Sequence, residues 1–182
     1  QRDLLSAIYG TSKAEVGRQV NVLRISIPVN DPHISYKELL AVTEYICKVI
    51  PILHGYSGYS LLFDMRIDDE CPEMWTDVAR IALRHPGYDV FDYDAVRYDV
   101  ADKLSAVNWL TLLGSDLARS FIENDRSKYL TNRGIEILPI GDNLLIRAGL
   151  LPQVGDVNRG DNLPLYSEVW KALEPMACVD HR

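Results

Sequence analysis

The sequence predicts one α+β domain, in which about four helices pack on a mixed or antiparallel sheet. A chain of 182 residues is long enough for one ordinary hydrophobic core. Some segments alternate apolar and polar residues as strands do, and others show the spacing of amphipathic helices. Neither an internal repeat nor a low-complexity linker is visible. We therefore expect a domain at residues 20–175, an N-terminal helix and loop extension at 1–19, and a tail at 176–182.

Four segments predict the strands of this domain. Residues 20–29 alternate and are rich in β-branched side chains. Residues 55–64 contain glycines typical of an edge strand or of a close backbone approach. Residues 106–114 form an apolar run that is consistent with a buried strand, and 134–149 contain two alternating runs around Gly-Asp-Asn, which predicts a hairpin. Residues 1–18 are weakly periodic, so we expect a short helix followed by a loop.

Capping residues indicate where the helices begin. Ser35 and Glu38 have the spacing of a capping box, in which each side chain satisfies a free amide of the other residue. Pro72 and Pro164 suit the first turn of a helix, where the missing amide costs nothing. Further caps are expected from Ser115 or Asp116 for the third helix, and from Asp161 or Asn162 for the last. The sequence His-Pro-Gly at 85–87 should end the second helix.

Composition narrows the class of function. The formal net charge of −7 disfavours direct binding to nucleic acid and favours basic proteins as partners. No apolar run is long enough to span a membrane, and the first residues do not show the basic-then-apolar pattern of a secretory leader. Cys47, Cys71 and Cys178 are odd in number and widely spaced, which argues against a disulfide framework or a zinc site. We expect a cytoplasmic protein without a cofactor.

Acidic residues alternate with large rings between residues 86 and 102. These rings either anchor a long loop whose aspartates keep it soluble, or form a protein-binding surface that offers buried area and carboxylates to a basic partner. A second acidic run lies at 64–73, where the carboxylates are either metal ligands or a solvated turn before a helix. The candidate interface residues are Asp68, Asp69, Glu70, Asp89, Phe91, Asp92, Tyr93, Asp94, Tyr98 and Asp99.

The loop GDVNRGDN (155–162) has two interpretations. Asp156, Asn158 and Asp161 offer oxygen atoms to a hard cation, although Gly160 stands one place early for an EF-hand and Ser167 replaces its bidentate glutamate. Alternatively, the Asp and Asn side chains bond to nearby amides, Gly160 supplies a positive φ, and Arg159 pairs with a neighbouring carboxylate. We favour the second interpretation.

Nucleophilic catalysis has little support in the sequence. The histidines lie in turn-like or terminal surroundings, without a nucleophile elbow or a Cys/His signature. A general base at His54 or His85 in a cleft is the alternative, and a surface or turn position is the interpretation that we favour. The glycines of GYSGYS lack the lysine of a phosphate-binding loop. We therefore expect no catalytic residues. The four histidines are His33, His54, His85 and His181.

Several segments together resemble the family of bacterial type VI secretion immunity proteins encoded beside VRR-type or restriction-endonuclease-like nuclease effectors. The resemblance extends over about residues 20–175, where Asn108-Trp109-Leu110 precedes Gly155-Asp156-Val157-Asn158-Arg159-Gly160-Asp161. The segments that carry it are GYSGYSLLF, HPGYDV, VNWLTLLGSDL, GDNLLIRAG and GDVNRGDNLPLYSEVWKALEP.

This resemblance implies an antitoxin that binds a cognate nuclease toxin and is not itself an enzyme. The shared motif residues are expected to hold the fold, whereas specificity is expected in the acidic segments. Two other functions remain open: a metal-dependent hydrolase using Asp156, Asn158 and Asp161, and a noncatalytic adaptor. The expected structural-loop residues are Asn108, Trp109, Gly155, Asp156, Asn158, Arg159, Gly160 and Asp161.

Overall fold

The structure is a computed structural model that describes residues 3–11, 21–29, 31, 35–61, 72–90 and 103–178. The described residues contain seven paired strands: β1 (Asp3–Thr11), β2 (Asn21–Pro28), β3 (His54–Leu61), β4 (Tyr88–Asp89), β5 (Leu110–Leu113), β6 (Glu136–Ile140) and β7 (Asn143–Arg147). Their helices are α1 (Tyr36–Val49), α2 (Pro72–Arg84), α3 (Ser115–Glu123), α4 (Arg126–Thr131) and α5 (Pro164–Leu173). The α+β class is confirmed.

The sheet has the strand order β2-β1-β3-β5-β7-β6, with antiparallel neighbours. The short β4 makes the sheet mixed, because it pairs in parallel with Tyr59 and Ser60 of β3. β6 and β7 form the predicted hairpin. The edge position suggested for β3 is wrong, since β1 and β5 flank it, but a close approach to its backbone is present and is made by a side chain. A Cβ atom on Gly58 would lie 1.9 Å from Asn108 Oδ1.

The helix predicted within residues 1–18 is wrong, because β1 occupies positions 3–11. β1 pairs antiparallel with β2 on one side and with β3 on the other. Hydrogen bonding on both sides outweighs the weak helical periodicity of this short segment.

Near the C-terminus, Cys178 lies in the segment 176–182 that the sequence predicts as a tail. Its backbone N–H donates to Leu104 O at 2.9 Å.

The beginning of α1 confirms the predicted capping box. Ser35 N–H donates to Glu38 Oε2 at 2.6 Å, and Glu38 N–H donates to Ser35 Oγ at 3.4 Å. α2 has Pro72 as its first residue and ends directly before His85, as predicted.

Two predicted caps are wrong. α3 has Gly114 at its N-cap without a side-chain bond, rather than Ser115 or Asp116. Only glycine fits there, because a Cβ atom would lie 2.0 Å from Ile52 O. α5 is preceded by Leu163 in a left-handed conformation, rather than capped by Asp161 or Asn162. The short α4 was not predicted, since six residues are too few to show a helical period.

The core lies around β5 and β7. All four residues of β5 are buried, as are the three middle residues of β7. Such continuous burial is typical of strands covered on both faces. The largest fully buried side chains include Trp109, Phe121, Leu39, Leu104, Leu110, Leu112, Leu113, Leu130, Ile135, Leu145 and Ile146.

Candidate functional site

The GDVNRGD segment is fastened to the end of α2. Arg84 donates two hydrogen bonds to the Asp156 carboxylate, from Nε to Oδ1 at 3.2 Å and from Nη2 to Oδ2 at 2.8 Å. His85 Nδ1 lies 2.6 Å from Gly155 O, and Gly87 N–H donates to Val154 O at 2.9 Å. We call residues 155–161 the clamped loop, because these bonds fix it against a helix more than 60 positions earlier in the chain.

Bonds within the clamped loop close it on itself. Asp156 N–H donates to Asp161 O at 3.0 Å, and Asp161 N–H donates to Asp156 O at 3.1 Å. Asp156 also caps a 3₁₀ turn at Val157–Arg159 by accepting from Asn158 N–H at 3.1 Å. The predicted positive φ of Gly160 is confirmed at 78°. Gly155 also has a positive φ, and a Cβ atom there would lie 2.9 Å from Asp161 O.

The charge of Asp156 is satisfied within the chain. Hydrogen bonding from Arg84 lowers the pKa of Asp156 below the ordinary aspartate value. Arg159 Nε lies 3.7 Å from Asp156 Oδ2, which confirms the predicted pairing, although the Arg159 side chain is 82% exposed. A cation at Asp156 would have to compete with both guanidinium groups. Within the described residues, no cluster of three or more His, Cys, Asp or Glu side chains could hold a metal ion.

A cleft of about 530 Å³ opens beside the clamped loop. Tyr59 of β3 and Tyr88 of β4 line it, with their ring centroids 6.2 Å apart in an edge-to-face arrangement. Tyr59 Oη is 2.7 Å from Tyr36 Oη, so a hydrogen bond between the two hydroxyl groups holds the Tyr59 ring to α1. We call this the tyrosine cleft. Its lining residues are Val29, Tyr59, Tyr88, Pro152, Gln153, Val154, Gly155, Asp156, Arg159 and Asp161.

Asn108 and Trp109 occupy a buried corner before β5. The Trp109 backbone N–H donates to Asn108 Oδ1 at 2.8 Å, and its indole N–H donates to Gly149 O at 3.0 Å. The Trp109 ring is 1% exposed and meets Tyr36 edge to face at 6.1 Å. The bond from Trp109 to Gly149 thus links the beginning of β5 to the residues that precede the clamped loop.

Asp89 is the one candidate interface residue within the described part of the chain. Its carboxylate accepts from Tyr56 Oη at 3.1 Å, and its second oxygen is enclosed and has no hydrogen-bond partner among the described residues. Burial raises the pKa of Asp89 to about 6, although the Tyr56 bond and the Arg24 charge act in the opposite direction. The carboxylate therefore faces inward in this structure, and its contact with a toxin stays a prediction.

The other candidate interface residues lie outside the described residues: Asp68, Asp69, Glu70, Phe91, Asp92, Tyr93, Asp94, Tyr98 and Asp99. The sequence interpretation also missed groups that the structure brings to the site. The sequence interpretation gives Arg84 no role, His85 only a role in ending a helix, and Tyr59 only a place in a strand. Their partners are far away in sequence, so no local pattern pairs them.

A family model described as "TsiV: Type VI immunity for VRR-NUC" matches residues 6–182. Among solved structures, the chain is similar to the Pseudomonas aeruginosa T6SS protein PA0821, with a TM-score of 0.70 and 21% sequence identity. The match covers 88% of this chain and 45% of that protein, so the chain spans slightly less than half its length. At this identity the likeness concerns the fold. No curated protein is significantly similar. Among the described helices, none combines the length and apolarity needed to cross a membrane.

Proposed function

Because the chain belongs to the TsiV family of type VI immunity proteins for VRR-NUC, we propose that it binds a cognate nuclease effector and neutralises it stoichiometrically. The family match over residues 6–182 carries this proposal. Neutralisation would take place in the cytoplasm of the producing cell. The effector would be the chain's functional partner, with no direct contact between the chain and nucleic acid.

The charge of the chain supports this partner. A nuclease has a positive groove to hold its polyanionic substrate, and a protein of net charge −7 is attracted to such a groove. Opposite charges speed the encounter of two proteins, whereas buried aromatic side chains mainly slow their separation. The segment at 64–73 is rich in carboxylates, and the segment at 86–102 combines carboxylates with aromatic rings, so we place part of the toxin interface there.

The contacts of the clamped loop support a function without turnover. The hydrolase hypothesis needs Asp156, Asn158 and Asp161 to direct oxygens at a shared cation. In the structure, the Asp156 carboxylate instead receives Arg84 and the backbone N–H of Asn158. Two guanidinium groups beside that carboxylate oppose the binding of a cation. The loop is therefore better suited to closing the fold than to catalysis.

Co-expression with the neighbouring effector gene tests the proposal. We expect the effector alone to kill the host, the pair to survive, and an affinity tag on this chain to co-purify the effector. A catalytically inactive effector should co-purify equally well, because binding does not need turnover. Killing despite abundant folded chain, together with no co-purification, would refute neutralisation by binding.

Charge reversal tests the acidic segment separately. Lysine at Asp92, Asp94 and Asp99 together should slow association with the effector by at least about tenfold at low salt, and by less at high salt, because screening weakens steering. The matched control places lysine at Asp116, Glu123 and Asp142, three exposed acidic residues elsewhere. Equal association rates for both triple variants would remove the segment from the interface while leaving the immunity function intact.

A further inference from the structure

We propose that the tyrosine cleft receives an arginine or lysine side chain of the effector, held between the tyrosine rings and the carboxylate of Asp161. This inference rests on the proposed function, because the occupant belongs to the nuclease effector. Of the described residues that line the cleft, only Tyr88 belongs to an acidic segment, so the inference extends the interface beyond the two segments.

The cleft has the size and lining of a site for an inserted group. Its volume of about 530 Å³ accommodates a long side chain with part of its backbone. Tyr59 and Tyr88 are half-buried, and Val29, Pro152 and Val154 provide further apolar lining. Aromatic rings attract a cation placed over their faces, most strongly when water is excluded. Such a lining favours the long alkyl stem and charged end of arginine or lysine.

The Asp161 carboxylate is available to a partner, because the described part of the chain does not bind it. Its backbone is fixed by two bonds to Asp156, whereas its exposed side chain makes no hydrogen bond or ion pair with the rest of the described structure. The neighbouring Asp156 is already occupied by Arg84. Asp161 is therefore the carboxylate of the cleft that is available to an incoming cation. Arg159 also lines the cleft. Its guanidinium group lies near the Asp156 carboxylate, which partly balances its positive charge.

The walls of the cleft are fixed before a partner arrives. Arg84 and His85 hold the clamped loop on one side. On the other side, the hydrogen bond with the Tyr36 hydroxyl holds Tyr59. Gln153 N–H also donates to Tyr166 Oη at 3.0 Å. A site that is already ordered loses little conformational entropy on binding, which favours tight association.

The position of the cleft agrees with the proposed toxin surface. Tyr88 lines the cleft and itself belongs to the acidic aromatic segment at 86–102. A basic effector surface that contacts this segment would lie close to the mouth of the cleft. The charge of the occupant then follows from the same complementarity that supports the proposed function.

Three variants test the charge of the occupant and the need for an open cleft. Asp161→Lys places a cation where the effector cation should bind. Gln153→Trp adds a large ring from an exposed position whose backbone bond to Tyr166 is retained. Arg159→Ala removes the cation already lining the cleft. Asp142→Lys, in the β6–β7 turn, and Asn132→Trp, after α4, are matched controls at exposed positions.

The measurement is the dissociation constant and dissociation rate for purified, catalytically inactive effector, with the melting temperature of each variant recorded. Asp161→Lys and Gln153→Trp should each weaken binding at least about tenfold through faster dissociation, while both controls stay within about twofold of the parent. Arg159→Ala should leave binding unchanged or tighten it. An effector arginine or lysine changed to glutamate should restore binding to Asp161→Lys.

The outcomes separate this inference from the proposed function. Parental affinity in both Asp161→Lys and Gln153→Trp, with unchanged melting temperatures, would overturn the cleft as a binding site. Weaker binding of Arg159→Ala together with tighter binding of Asp161→Lys would overturn the cationic occupant in favour of an acidic one. Failure of the parent chain to bind the effector at all would overturn the proposed function, and the inference with it.

Discussion

Asp156 of the clamped loop and Asp89 of β4 are both aspartates, but their carboxylates have opposite environments. Asp156 accepts two hydrogen bonds from Arg84, and its pKa lies below the ordinary value. Asp89 accepts a hydrogen bond from Tyr56, its other oxygen is enclosed without a partner in the described part of the chain, and its pKa is raised to about 6. Asp156 and Asp89 are the same type of residue, so the difference in their effect on stability comes from the groups that contact each carboxylate.

The difference also distinguishes residues that hold the fold from residues available to a partner. The motif residues at 108–109 and 155–160 make many of their polar contacts inside the chain. Asp161, at the end of the clamped loop, keeps its backbone in the fold and leaves its side chain exposed. We therefore expect mutations of the internal contacts to lower stability, and mutations at Asp161 to lower affinity.

The largest loss of stability should follow removal of Trp109, because its ring supports both regions. It bonds to Gly149 before the clamped loop and packs on Tyr36, which holds Tyr59 of β3. Trp109→Ala should lower the free energy of unfolding by about 3–5 kcal/mol, as measured by denaturant titration. The half-buried Trp170 is the control, and Trp170→Ala should cost clearly less. Equal losses would show that Trp109 has no special role.

The second effect concerns Asp89 and depends on pH. Its folded pKa of about 6 exceeds the ordinary 3.8, so its contribution to stability is fully present below pH 3.8 and is lost as the pH rises through 6. Asp89→Asn keeps the shape and removes the charge. The variant should equal the parent near pH 4 and exceed its stability at pH 7 by up to about 3 kcal/mol.

Unfolding curves at pH 4, 5, 6 and 7 measure this difference. Asp142→Asn, at an exposed turn, is the control, and its difference from the parent should not show the same rise with pH. A pH-independent difference between Asp89→Asn and the parent would contradict the enclosed carboxylate with a raised pKa that we describe for Asp89.

The smallest of the three effects belongs to Asp156. Asp156→Ala removes the Arg84 pair and the bond to Asn158 N–H, so it should lower the melting temperature by roughly 2–4 °C at pH 7. Because the folded pKa is lowered, this contribution is present above the ordinary aspartate pKa and is lost as the pH falls below it. The difference from the parent should therefore shrink below pH 4.

Asp77→Ala is the matched control for Asp156. Asp77 pairs with Arg80 one helical turn away, and both side chains are more than 60% exposed, so their ion pair should contribute little. A change at Asp77 as large as that at Asp156 would indicate a general effect of net charge. A loss of effector binding in Asp156→Ala at unchanged melting temperature would contradict the structural role of the clamped loop.

Sequence patterns correctly predict the elements that are determined by interactions between residues close together in the chain. The capping box at Ser35, the proline at the beginning of α2 and the turn between β6 and β7 depend on neighbouring residues, and the structure confirms them. β1 was missed because its strand conformation depends on partners on both sides. The Gly114 cap was missed because it depends on contact with Ile52, a residue far away in sequence.

The same distinction applies to the site. The positive φ of Gly160 and the pairing of Arg159 with Asp156 follow from adjacent residues, and both were predicted. The Arg84–Asp156 pair joins positions 72 residues apart, and the tyrosine cleft joins β3, β4 and the clamped loop. No spacing rule connects such positions in one sequence. The cleft therefore became visible only in the folded chain.

Titration of purified effector nuclease with this chain tests the central claim most directly, with binding and nuclease activity followed in the same samples. We expect activity to fall in proportion to the effector bound and to reach its minimum at a fixed molar ratio, with both proteins recovered intact. Undiminished nuclease activity at saturating chain, or inhibition by substoichiometric chain through modification of the effector, would contradict neutralisation by binding alone.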